Sequence, residues 1–293
     1  HNRMNLPATM QPRQSSWLGV IRFAVVICGA LIAFTSVRLA HGAESPVGWE
    51  LLSQYRFKEA LLAFEQTAAT DDDSRRSNNL GRALSQLVSP SYNEAQLPGI
   101  VSELEHIWQS NQQDKLGLWA GYYLGRIHQN QGKTNADFDA ALTWFQRVAA
   151  AGENDSIAQI AHLKAVGLVL FAPLEGAPSS EERFDRAQQW VAQITEPHLR
   201  INALLVLANG MLYRDAAPDR VLPAFQRAWR IGITDPTARA QVLVQMGNLA
   251  SKVDQPQLAA DYYGQFLDEF PSEKRHQLVR DQLNQISQFP PDE

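Results

Sequence analysis

The chain is 293 residues long, 45% hydrophobic and 19% charged, with a formal net charge of −5. Its single cysteine, Cys28, excludes an intramolecular disulfide and any cysteine-based metal site. Residues 1–42 hold four Arg and no acid, so the remainder carries 22 basic against 31 acidic residues, a balance that argues against a general nucleic-acid binder.

The first feature in chain order is residues 23–34, FAVVICGALIAF, an uninterrupted apolar run behind Arg13 and Arg22. A basic start, a short apolar core and the small residues Ala40 and Gly42 have the layout of a secretory signal cut before Ala43. Read instead as a retained anchor, 17–37 is long enough to span a bilayer, with Arg22 reaching the interface by snorkelling. Either reading predicts export, to the periplasm or to the inner membrane facing the periplasm. Ile27 is bulkier than the residue a lipoprotein signal places before its cysteine, which argues against lipidation at Cys28.

Beyond the apolar segment, runs rich in Ala, Leu, Gln and Arg predict helix throughout, and no stretch reads as a strand. A first helical pair lies near 48–70, with a short first helix and with Phe57, Ala60 and Phe64 in the second. Another follows at 74–87 and 97–110, joined by a loop containing Pro90, with Asp71 to Asp73 capping the first of the two. The third carries Tyr123-Leu124-Gly125, Gly132, Asp137-Phe138, Ala141, Trp144-Phe145, Ala149-Ala150 and Gly152. The fourth pair is expected at 157–171 and 180–194. Pro173, Gly176 and Pro178 mark its loop, and Ser179 before Glu181 and Glu182 reads as a helix start. The fifth covers 199–229, with Pro218, Phe225 and Ala228 in place. The sixth holds Met246-Gly247, Ala259, Tyr263, Phe266 and Pro271. Leu278, Val279, Leu283 and Ile286 then define one amphipathic helix that covers the exposed end, before a short tail at 288–293.

A small residue recurs in the first helix of each pair: Gly48, Gly81, Gly125, Gly167, Asn209 and Gly247. An apolar residue recurs in the second: Phe64, Leu104, Phe145, Val191, Phe225 and Tyr263. The sixth pair resembles a tetratricopeptide repeat (TPR), and the third is similar to its longer cousin, the Sel1-like repeat. The resemblance implies an all-α, helical-hairpin solenoid over 44–287, about six TPR/Sel1-like repeats plus a C-terminal capping helix, behind an N-terminal signal peptide or transmembrane helix. It also implies that Gly247 lets the paired helices approach, that Ala259 sits at their crossing, and that Tyr263 and Phe266 fill the space towards the neighbouring repeat.

No catalytic residue, metal site or cofactor is expected. The five histidines beyond the signal are scattered and none forms an i, i+4 pair; Glu103 and Glu105, beside His106, point to different faces of a helix. No phosphate loop or nucleophile elbow is present.

The resemblance implies instead that the first helix of each repeat lines a concave face. It directs inward Trp49 and Leu52 from the first repeat, Arg75, Asn78 and Arg82 from the second, and Trp119, Tyr122, Arg126, Gln129 and Asn130 from the third. The later repeats add Lys164, Leu168, Tyr213, Arg214, Gln241, Asn248, Ser251 and Lys252. None of these is acidic and six are cations, in a chain of negative balance. The expected partner-binding set is Arg75, Arg82, Trp119, Tyr122, Arg126, Lys164, Tyr213, Arg214, Asn248 and Lys252. Arginines would pair with peptide carboxylates and Trp119 and Tyr122 would serve as flat apolar contacts. The function this predicts is an exported scaffold for protein–protein interaction in the bacterial envelope. Its partners would be other proteins, through acidic peptide segments or a membrane complex, with no nucleic acid, and with membrane contact through 17–37 if that segment is retained. A permanently bound structural subunit, anchored by the same helix, is the alternative, and an enzyme with an unfamiliar site is the third.

Overall fold

The computed structural model describes residues 46–89 and 93–288. The apolar segment at 17–37 and the tail after 288 lie outside the described residues, as does Pro90. Among the described residues there is no strand, and there are thirteen α-helices. In chain order these are α1 (Pro46–Ser53), α2 (Phe57–Gln66), α3 (Asp72–Leu87), α4 (Leu97–Ser110), α5 (Lys115–Gln131), α6 (Asn135–Gly152) and α7 (Ser156–Phe171). They continue as α8 (Ser180–Gln193), α9 (Pro197–Tyr213), α10 (Pro218–Ile231), α11 (Pro236–Lys252), α12 (Pro256–Glu269) and α13 (His276–Gln288). The pairs and the capping helix fall where the periodicity puts them.

The starts of these helices are written in the sequence. Asp71, Thr134 and Ser179 close capping boxes with Ser74, Asp137 and Glu182, each satisfying backbone N–H groups that the first turn leaves unpaired. Pro197, Pro218, Pro236 and Pro256 open α9 to α12, where a missing N–H costs nothing and the fixed φ already suits a helix. The ends repeat as well. After α1, α9 and α11 the chain reverses through one turn, with Tyr55, Asp215 and Asp254 at φ 63, 55 and 55. In each, the next residue closes a six-residue ring: Arg56 N–H to Leu51 O, Ala216 N–H to Met211 O, and Gln255 N–H to Ala250 O, at 2.9, 3.0 and 3.0 Å.

The chain divides into two units between Glu103 and Leu104, within α4. In the first, α1, α2 and α3 pack on one another. The ring of Phe64 on α2 lies against the bare backbones of both Gly48 and Gly81, where a Cβ at Gly48 would stand 2.6 Å from Phe64 Cε1. Trp49 meets Phe64 edge-on at 5.2 Å and donates its indole N–H to Ser77 Oγ at 3.1 Å.

In the second unit each helix from α5 to α13 packs on the next, and α5, α7 and α9 also pack side by side. The glycine-to-ring contact recurs between α5 and α6, where Phe145 covers Gly125, and between α11 and α12, where Tyr263 covers Gly247. It is absent at the two places between them. A Cβ at Gly167 would meet nothing within 4 Å, since no ring stands opposite. Asn209 turns its side-chain amide back to Leu205 O at 2.7 Å, and the close approach falls to Gly210, packed on Leu170 of α7.

Two buried polar side chains hold this unit's loops. Gln159 of α7 is buried, and its Oε1 accepts the N–H groups of Thr195 (3.0 Å) and Glu196 (2.7 Å), fixing the entry to α9. Arg183 of α8, 4% exposed, donates to the carbonyls of Val169 (2.6 Å), Ala172 (3.0 Å) and Pro178 (3.0 Å). It thereby caps the C-terminus of α7 and pins the loop that follows.

Candidate partner-binding site

The residues expected to bind a partner separate into three environments. In the first unit Arg75 and Arg82 are exposed on α3. Arg75 pairs with Asp72 one turn earlier at 2.5 Å, a surface ion pair of the kind that contributes little.

In the second unit, α5 is covered on almost every side, and this corrects part of the expected set. Trp119 is 2% exposed and Tyr122 1%, so neither presents a face to a ligand. The two rings meet edge-on at 5.6 Å, and Tyr122 also packs on Phe145 at 5.7 Å. Large aromatic surfaces drawn into a core contribute far more by leaving water than an open groove would allow. The Tyr122 hydroxyl accepts from Arg126 Nη1 at 3.3 Å, and the Arg126 side chain is itself half-buried. Burial pushes the Tyr122 and Tyr123 hydroxyls above the usual phenol range, and the neighbouring Arg126 charge pulls them back in part. Lys164, 7% exposed, is likewise enclosed in α7, a helix buried along most of its length, and it is engaged within the fold.

The remaining four residues lie where a partner can reach them. Tyr213 ends α9 with 54% of its surface exposed, its ring set on Phe171 at 5.6 Å. Arg214, half-buried, donates Nε–H to Leu170 O at 2.7 Å. Asn248 and Lys252, with Ser251, line an open depression of about 530 Å³. Its other walls are Leu212 of α9, Gln245 and Leu249 of α11, Tyr263 of α12, and Gln282, Gln285 and Ile286 of α13.

Asn248 is the organising residue of this depression. Its Oδ1 accepts from the Tyr263 hydroxyl at 2.7 Å and from Gln282 Nε2 at 3.2 Å, which ties α11 to both α12 and α13. With Oδ1 occupied, its amide nitrogen is left as a donor. Burial pushes Tyr263 up to about 12, so its hydroxyl stays protonated and donating at neutral pH. Lys252 is the only charged residue in the lining, which contains no carboxylate. A strip of side-chain amides, each with a donor and an acceptor, is suited to the alternating groups of a peptide main chain.

Sequence reasoning placed Asn248, Ser251 and Lys252 on a common face, and the structure brings them together. It missed Gln245, which falls outside the inward register positions of α11, and Gln282 and Gln285, because their helix α13 reads from the sequence only as a cap; the i, i+3 spacing of the last two was the available signal. Among the described residues no group of His, Cys, Asp and Glu could hold a metal ion, and no helix is long and apolar enough to cross a membrane.

No family model matches the sequence, and no curated protein matches it. Among solved structures the chain is similar to the TPR2AB-domain:pHSP90-complex of yeast Sti1, at 14% identity over 84% of this chain and 97% of that one. The TM-score is 0.31, too low to support any inference from that complex.

Proposed function

We propose that this chain is a non-enzymatic scaffold for protein–protein interaction that takes an extended peptide segment of its partner into the depression between α9, α11, α12 and α13. The observation that carries the reading is the lining itself: four side-chain amides, one lysine and no carboxylate, on a chain whose net charge is negative. Amides hold a peptide main chain, and Lys252 selects for an acid along it. Exposed Arg75 and Arg82 offer further cationic contacts on the first unit. The layout of residues 1–42 supports export, so the scaffold works in the bacterial envelope, either free in the periplasm or held at the inner membrane by 17–37.

Crosslinking tests both parts. A photoreactive residue at Gln285, in the full chain expressed with its leader, should capture a protein in the envelope fraction, and Lys252→Glu should abolish the capture while the helical circular dichroism spectrum is kept. Capture that is indifferent to Lys252→Glu and to Asn248→Ala would remove the groove from the proposal. A complex that survives alkaline washing of membranes and never dissociates would replace the scaffold by the permanently bound, anchored subunit.

A further inference from the structure

We infer that Tyr213 and Arg214, on the α7 side of the α9 terminus, form a second and separate anchor that reads a carboxylate on the partner peptide beside an apolar side chain. The inference rests on the interaction-scaffold reading, though not on the α11 depression, which lies on the other side of the same helix end through Leu212.

The geometry starts at Gly210. A Cβ there would lie 2.8 Å from Leu170 Cδ1, so glycine is what brings the last turn of α9 down on the last turn of α7. That approach puts Leu170 O within reach of Arg214, whose Nε–H donates to it at 2.7 Å. A guanidinium held through Nε has its two terminal nitrogens left as an outward fork. No carboxylate pairs with Arg214 among the described residues. The fork is therefore oriented in advance and unoccupied by the fold's own acids, which reduces what a ligand must spend in ordering it.

The electrostatic setting is also arranged in advance. The carbonyls of Val169 and Ala172 at the same helix end are already taken by Arg183, whose proton affinity is lowered first by its burial and then by the nearby Arg214 charge. Two guanidinium groups thus share one helix C-terminus, and the second of them is half-buried and faces outward. Beside it stands Tyr213, exposed by 54% yet steadied by Phe171. Tyrosine and arginine are among the residues enriched where binding energy concentrates at interfaces. Because the chain as a whole repels acids, any preference for an acidic peptide has to be local.

The test uses the full chain and two dye-labelled peptides, Gly-Phe-Glu-Leu-Glu-Gly and its glutamine counterpart Gly-Phe-Gln-Leu-Gln-Gly, followed by fluorescence anisotropy. The wild type should prefer the glutamate peptide by about tenfold. Arg214→Gln should erase the preference, Arg214→Lys should recover only part of it, and Tyr213→Ser should weaken both peptides alike. Since Arg214 also caps α7, the Nε–H resonance of Arg214 in isotope-labelled wild type gives a second reading free of mutation, and should shift on adding the glutamate peptide only. An unchanged preference in Arg214→Gln, or an unmoved resonance while the peptide binds, overturns the anchor. If Lys252→Glu then weakens binding, the depression stands without it. If Arg214→Gln acts and Lys252→Glu does not, the anchor stands and the depression falls. Failure of the wild type to bind either peptide overturns both.

Discussion

The ring of Tyr263 rests on the bare backbone of Gly247, close enough that a Cβ there would stand 2.6 Å from Cδ1. The same ring carries the hydroxyl that holds Asn248 in the depression. One contact thus sets the α11–α12 spacing and orients the side chain on which the candidate site is built. Gly247→Ala is expected to destabilise the protein by about 1–3 kcal/mol, because ring and backbone must separate. The matched control is Gly167→Ala, where a methyl meets nothing within 4 Å and helix propensity alone should add about 0.5–1 kcal/mol. Urea melts of the two variants should move in opposite directions.

Tyr263 also sets a pH dependence. Its folded-state pKa is raised from 10.0 to about 12 by burial, so the fold favours the neutral phenol. The associated stability is complete below pH 10.0, and is lost as pH rises towards about 12, where the unfolded chain ionises first. Thermal melts across that window should show a falling midpoint. Tyr263→Phe, which keeps the ring on Gly247, should flatten the part of the slope due to this residue.

Arg183 is a charged residue spent on carbonyls. Replacing it by Met leaves Val169, Ala172 and Pro178 without their donor in a buried place, at a cost of about 2–4 kcal/mol. The loop at 172–179 should also become a cleavage site for a protease that leaves the wild type intact. Resistance equal to wild type would show that the loop is held by Asp139, whose carboxylate accepts Glu175 N–H at 2.7 Å.

The three shared turns give a prediction in the stabilising direction. Asp215 and Asp254 hold left-handed backbone at φ 55, a conformation in which glycine carries no Cβ penalty. Asp254→Gly is expected to raise stability by a few tenths of a kcal/mol, up to about 1 kcal/mol. A drop in melting temperature would mean that the aspartate side chain contributes something the backbone geometry does not reveal.

Much of the architecture was legible because it is local. Capping boxes, proline starts and the spacing of glycine and aromatic residues act within a helix or across one turn, so the sequence by itself determined the helices, their pairing and the final capping helix. The repeat register also located Asn248, Ser251 and Lys252 on one face. What it could not decide is which positions of a helix are covered by a third element. Trp119 sits at the register position that leaves Arg75 and Gln241 exposed in other repeats, yet α5 is enclosed, and burial of large apolar area overrides any groove it would have lined; Tyr122 and Lys164 share a position that is buried at Asn78 and Val244 as well. The same holds for Gln159, whose Oε1 takes the N–H groups of Thr195 and Glu196 far along the chain, and for Arg183, which reaches back across the α7–α8 loop to Val169, Ala172 and Pro178. Tertiary structure alone decided that Asn248 bonds to α12 and α13, and that Arg214 is held by a carbonyl of α7, because such bonds depend on how close two helices come, and that distance is set by the side chains between them.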